Sequence, residues 1–282
     1  MRSRRQIRFA TLLSDGLFAV VTLIGHERTR VRSRRNKTRS VAGGQRICFR
    51  LEVIALEPLS DNKIIDSWRK NAAPWTTAIR DNQIESRVLV TNQAIIDTVV
   101  ARAPTSVLDI GCGEGWLVRA LVERGIRAIG VDVIPELIDQ ARRAGAGEFH
   151  VASYDDIIEQ RFHATFDVVV ANFSLIGKES VDGLVRHVST LLAPDGALVI
   201  QTLHPMMARG DLPYVDGWRS GSWAGFSDAF TDPAPWYFRT LEGWISLIVS
   251  ADLRLVTLHE PLHPKSNLPA SIIFVAEVAP RT

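Results

Sequence analysis

The chain of 282 residues has only two cysteines, Cys48 and Cys112. One lies in a basic segment and the other in a glycine-rich loop, so neither a disulfide framework nor a zinc site is expected. No CxxC pair appears, which disfavours metal-assisted transfer. The Gly-x-Ser-x-Gly turn that exposes a hydrolase serine is missing as well. A membrane-spanning helix needs roughly 20 apolar residues. The best stretch, Phe9 to Ile24, is shorter and is interrupted by Asp15. No internal repeat is visible. On these grounds a cytoplasmic protein with no membrane partner is expected.

Charge is unevenly spread. Residues 1–50 hold thirteen Arg or Lys against two acids, Asp15 and Glu27, while the rest holds twenty bases against twenty-nine acids. An acidic body does not suit phosphate-backbone binding, so no nucleic-acid partner is expected. Residues 1–56 are expected to be a dispensable extension outside the fold, with a disordered composition where Arg28 to Arg39 alternates Arg with Ser, Thr and Asn. A helical cap is expected over 57–104. It opens near Asn62, breaks at Pro74, and continues over about 82–101 with Ile84, Val88, Thr91, Ile95 and Val99 at helical spacing.

From residue 105 the pattern becomes regular. Apolar runs at Val107–Ile110, Ile126–Val131, Phe149–Ala152, Phe166–Ala171 and Ala197–Gln201 are separated by helical patterns at 116–124, 135–144, 154–160 and 179–192. Such alternation predicts βαβ units and a doubly wound parallel sheet. Two further strands, Leu253–His259 and Ile272–Val278, are joined by a loop too short for a crossover helix, so this pair is expected to be antiparallel. One stretch breaks the rhythm: residues 203–241 are rich in Pro, Gly and aromatic rings. Loops at the carboxyl ends of strands line the crevice of an open α/β sheet, so this insert is expected to be a substrate lid.

The central signal is Val107-Leu108-Asp109-Ile110-Gly111-Cys112-Gly113-Glu114-Gly115-Trp116, a strand running through a glycine turn into a helix. Asp132 ends the second strand, where an acid can accept hydrogen bonds from both hydroxyls of a ribose. A dinucleotide fingerprint would need glycine at position 116, which is Trp116 here. Asp109 also suits an amine or sulfonium better than a phosphate.

These residues resemble the first motif of the class I S-adenosylmethionine-dependent methyltransferases, and Gly130-Val131-Asp132 the second. Phe166–Asn172 resembles the family's fourth-strand motif, and Leu191–Leu198 the turn before its fifth strand. The resemblance spans about Asn62 to Val278. It implies a seven-stranded Rossmann-like sheet with an antiparallel last strand, S-adenosylmethionine as cofactor, and methyl transfer to a small-molecule acceptor. It further implies that Gly111 and Gly113 line the methionine part, with Asp109 near its ammonium group, and that Cys112 between them is also cofactor-binding. Asp132 would hold the ribose, Val133 would also bind the cofactor, and Asn172 would lie beside the sulfonium. Arg87 resembles the arginine that some quinone-biosynthesis O-methyltransferases use for the methionine carboxylate. Where the family often has an acid facing the adenine, this chain has Ser153, then Tyr154 and Asp155.

For the acceptor, Trp68, Trp75, Trp223, Trp236 and Tyr237 are expected to form the wall. An oxygen nucleophile benefits from a base, and His204, directly after the fifth strand and stiffened by Pro205, is the best-placed candidate. O-methylation is therefore slightly favoured. The competing readings are an NAD(P) oxidoreductase and a cofactor-binding protein without turnover.

Overall fold

The computed structural model describes residues 59–159 and 164–279, so the basic extension 1–56 lies outside the described residues. Seven strands form the main sheet: β1 (Ser106–Ile110), β2 (Arg127–Asp132), β3 (Glu148–Val151), β4 (Phe166–Asn172), β5 (Leu192–Thr202), β8 (Leu253–His259) and β9 (Ile272–Val278). Their order is β3-β2-β1-β4-β5-β9-β8, parallel from β3 to β5, with β9 antiparallel to both its neighbours. This is the doubly wound architecture that the alternating sequence predicts.

The strands carry apolar residues on both faces because both faces are covered. Val107, Val168, Val170 and Val199 pack with Ile95 and Leu117 on one side. Leu108, Val169, Leu198 and Phe274 pack with Leu184 and Leu247 on the other. Each fully buried aliphatic chain of this kind contributes about 1.5–3 kcal/mol. Helices α2 (Asn92–Val100), α3 (Trp116–Val122) and α4 (Pro135–Ala144) supply the first side, and α6 (Glu179–His187) and α8 (Leu241–Val249) the second. The bounds of α4 follow from local chemistry: Pro135 opens it and Gly145, at φ +80°, closes it. The short helix α5 (Tyr154–Ile158) starts on a capping box between Ser153 and Asp156.

Three expectations need correction. Helix α1 runs from Asp61 to Arg80 straight through Pro74. Ile65, Trp68, Ala72 and Trp75 lie on both sides of the proline and share one apolar cluster with Ile134 and Leu137, so packing outweighs the local penalty. The expected helix over 82–101 holds a wide π turn at Arg87–Thr91, in which the Asn92 N–H donates to the Arg87 carbonyl. That extra residue shifts the helical phase. Val88, expected inside, is 50% exposed, and Arg87 is buried at 5%. The insert 203–241, read as a loop, contains a one-turn helix α7 (Pro205–Ala208) and a hairpin of β6 (Gly217–Arg219) with β7 (Trp236–Phe238). No helix among the described residues is long and apolar enough to cross a membrane.

Candidate active site

The strand order reverses between β1 and β4, and a doubly wound sheet opens its crevice at such a point, beyond the carboxyl ends of the strands. A cleft of about 530 Å³ lies there. Its floor is the glycine loop after β1. The Gly111 and Cys112 N–H groups both donate to the Val131 carbonyl, at 2.7 and 2.9 Å, folding the loop over the end of β2. Gly111 has φ +73° and Gly115 φ +84°, in the left-handed region that favours glycine.

At one end of the cleft, charges of both signs are buried with atoms left over. Asp109 is 2% exposed, and its Oδ1 has no hydrogen-bond partner among the described residues. Burial, then the nearby Asp132, pushes its carboxyl up to about 8. The π turn places the Arg87 guanidinium over the rings of Trp116 and Trp75, at 5.0 and 5.7 Å. Its Nε donates to Asn92 Oδ1 at 3.3 Å, whereas Nη2 is buried without a partner. Burial lowers the guanidinium to about 10. Glu114 is 1% exposed, and its Oε2 accepts from Arg119 at 2.6 Å and Arg80 at 3.3 Å, leaving Oε1 unmatched. Leaving buried polar groups unmatched is costly, and unmatched groups of both signs fit the ammonium and carboxylate of an amino-acid moiety.

Asp132 stands next along the cleft. Its Oδ2 accepts from the Gly113 N–H and its Oδ1 from the Ile134 N–H, both at 2.9 Å. Burial lifts its carboxyl to about 6 against the pull of these N–H groups. A carboxylate fixed this way keeps lone pairs for a diol. Ser153 and Tyr154 also line the cleft, but the Ser153 hydroxyl accepts the Asp156 N–H in the cap of α5. Tyr154 donates to the Ser174 carbonyl at 3.0 Å, and burial raises its phenol well above the usual range. Asn172, at the end of β4, accepts from Gln201 at 2.8 Å.

Over these groups lies an aromatic roof from two elements. Trp68 and Trp75 of α1 meet edge to face at 5.0 Å, and Trp68 meets Trp223 of the insert at 5.8 Å. Asn71 locks helix to insert through a reciprocal pair with the Thr231 backbone, at 2.7 and 2.9 Å. Trp236 and Tyr237 on β7 form the facing wall.

Of the residues singled out in the sequence, all but Gly113 and His204 line this cleft. Gly113 contributes its N–H to Asp132. His204 requires a correction: the lining includes Leu203 and Pro205 but not the histidine between them. Its ring is buried and turned to Glu260, with Nε2 2.7 Å from Oε1. Its Nδ1 is buried without a partner among the described residues, and the ring does not border the cleft, so no direct contact with an acceptor follows from this arrangement. Sequence reasoning missed Glu114 and its partner Arg80. The available signal was an acid between two glycines of the loop.

The carboxyl shifts have a consequence in solution. A raised carboxyl binds protons more tightly in the folded state, so its contribution to stability is full below the unfolded value near 4 and is lost as pH rises. For Asp132 and Asp109 that loss runs through about pH 6 and then 8. A ligand ammonium placed beside Asp109 favours its ionised form. S-adenosylhomocysteine, whose amino-acid part carries that ammonium, should therefore release about one proton on binding at pH 7. Calorimetry in buffers of different ionisation heat checks this, and Asp109→Asn should remove most of the release.

A family model described as "Methyltransferase domain" matches residues 84–255. Among curated proteins the chain is 30% identical over 125 residues to a ubiquinone biosynthesis O-methyltransferase of Xylella fastidiosa, covering 42% of this chain and 50% of that protein. It is also 30% identical over 129 residues to a malonyl-(acyl-carrier protein) O-methyltransferase of Enterobacter lignolyticus, covering 44% and 49%. The chain thus spans about half the length of the curated relatives it matches. Among solved structures it is similar to a Burkholderia thailandensis 1,6-didemethyltoxoflavin-N1-methyltransferase, with TM-score 0.54, 19% identity, and coverage of 80% of this chain and 94% of that one.

Proposed function

This chain belongs to the class I S-adenosylmethionine-dependent methyltransferases, and from that premise we propose that it methylates a small molecule held in the aromatic half of the cleft. The observation that carries the reading is the set of unmatched atoms on Arg87, Asp109 and Glu114 at the end of the glycine loop. S-adenosylmethionine, when bound, supplies a methyl group activated on a sulfonium. Arg87 would hold its carboxylate, Asp109 and Glu114 its ammonium, and Asp132 its ribose. Asn172, anchored by Gln201, would lie beside the sulfonium. Displacement from a sulfonium depends mainly on in-line alignment, so the roof and wall would act by orienting the acceptor and excluding water. The curated relatives named as O-methyltransferases support oxygen as the accepting atom. With His204 tied to Glu260, proximity supplies the rate and His204 serves to fix the exit of β5.

The test is direct. S-adenosylhomocysteine should bind in calorimetry while NAD and NADP do not, and labelled methyl groups should pass from S-adenosylmethionine into a component of a metabolite extract. Binding of NAD in place of S-adenosylhomocysteine would make the protein an oxidoreductase. Cofactor binding with no transfer to any extract would make it a non-catalytic binder.

A further inference from the structure

Among the described residues, the acceptor half of the cleft holds no buried charge that is free of a partner. Asp61 lines it but is only half-buried, and each of its oxygens already accepts one N–H, from Lys178 at 2.8 Å and Ser180 at 2.7 Å. Arg239 lines it too, and spends its guanidinium on the Gly177 carbonyl at 2.8 Å and Asp182 at 2.7 Å. Asp155 and Glu179 are exposed. A carboxylate or phosphate on the acceptor would find no free cation among the described residues here, and an ammonium no free buried anion. Burying an unpaired charge is the most expensive choice a ligand can make.

What this half offers is mainly flat apolar surface, with one buried donor left unmatched in its wall. Trp68, Trp75, Trp223 and Phe226 form a connected set of rings on one side, and Trp236 faces the cleft from β7. The Trp236 ring is 8% exposed, and its indole N–H has no hydrogen-bond partner among the described residues. Trp223, by contrast, has its N–H satisfied by the Thr231 carbonyl at 2.9 Å. Buried indole N–H groups nearly always find a partner, so the unmatched N–H of this cleft-lining tryptophan is the candidate contact for a ligand atom.

We infer that the methyl acceptor is an uncharged, flat aromatic or heteroaromatic molecule with a hydrogen-bond-accepting atom on its edge, and that Trp236 is the residue that reads that atom. The inference rests on the methyltransferase reading, so the experiment separates the two. The full chain is saturated with S-adenosylhomocysteine and titrated by calorimetry with four probes of similar outline: quinoline, naphthalene, 1-naphthoate and N-methylquinolinium. Quinoline should bind about tenfold tighter than naphthalene, the ratio that one hydrogen bond gives. The two ions should bind more weakly than quinoline. Trp236→Phe keeps a ring in the wall and should erase the quinoline advantage while leaving naphthalene within about twofold. If that variant fails to fold, the quinoline-to-naphthalene ratio of the native chain decides, and a ratio near one overturns the role of Trp236. Tighter binding of either ion overturns the neutral-acceptor class. Should the cofactor product itself fail to bind, both readings fall; if it binds and quinoline does not, only this inference does.

Discussion

Gly111→Ala should destabilise the protein by about 2–5 kcal/mol, combining a left-handed backbone cost with overpacking. Gly111 holds φ +73°, and a Cβ placed there would lie 2.3 Å from the Cβ of Ser174. Neither loop can easily give way. Ser174 donates to the Ile110 carbonyl at 2.6 Å, which draws the segment after β4 onto the glycine loop. Phe173, the preceding residue, is itself left-handed at φ +56°. Gly125 provides the control, since it has φ +80° but nothing within 4 Å of the point a Cβ would occupy. Gly125→Ala should cost only the backbone part, about 1–2 kcal/mol. Urea denaturation of the two variants checks the difference, and equal losses would show that the contact with Ser174 relaxes freely. Cofactor affinity should fall in the Gly111 variant alone.

Asp132→Ala should weaken S-adenosylmethionine binding by at least about tenfold, because charge-assisted hydrogen bonds contribute about 1.5–3 kcal/mol each. The carboxylate also accepts the Gly113 and Ile134 N–H groups, so the alanine variant leaves two donors unmatched and lowers stability as well. Asp132→Asn separates the effects. Its carbonyl oxygen can keep one of the two backbone bonds, whereas the charge is gone. Calorimetry on both variants, with folding verified by circular dichroism, makes the measurement. Unchanged affinity in a folded Asp132→Ala protein would remove this residue from the site.

Much of this architecture was readable from residue order. The strands announced themselves because residues buried on both faces leave short Val- and Ile-rich runs, and α4 was bounded by a proline and a glycine with fixed meanings. What escaped had physical causes. Helix α8 reads Leu-Glu-Gly-Trp-Ile-Ser-Leu-Ile-Val, too uniformly apolar to show a helical period. The strands β6 and β7 are three residues each, below the length at which alternation is visible. Pro74 signalled a break that the packing of Trp68 and Trp75 overrides. The site was legible where motif residues bind through position in the loop, as at Asp109 and Asp132. It was less legible where side-chain direction decides, as at His204, whose backbone borders the cleft while its ring turns to Glu260.

The π turn at Arg87–Thr91 amounts to a reading frame within a helix. Upstream and downstream of it, residues are counted from different origins, and Arg87 faces the cleft only because of the offset. Removing a single exposed residue there, such as Leu89, would restore an ordinary helix and rotate one side against the other by about 100°. Either the arginine would leave the cleft or Ile95 and Val99 would leave the sheet. A one-residue deletion at a surface position is therefore as severe as a core lesion, whereas substitution of Leu89 by a polar residue should pass almost unnoticed. In relatives whose helix lacks the wide turn, the residue occupying this place would be one position out of step with Arg87.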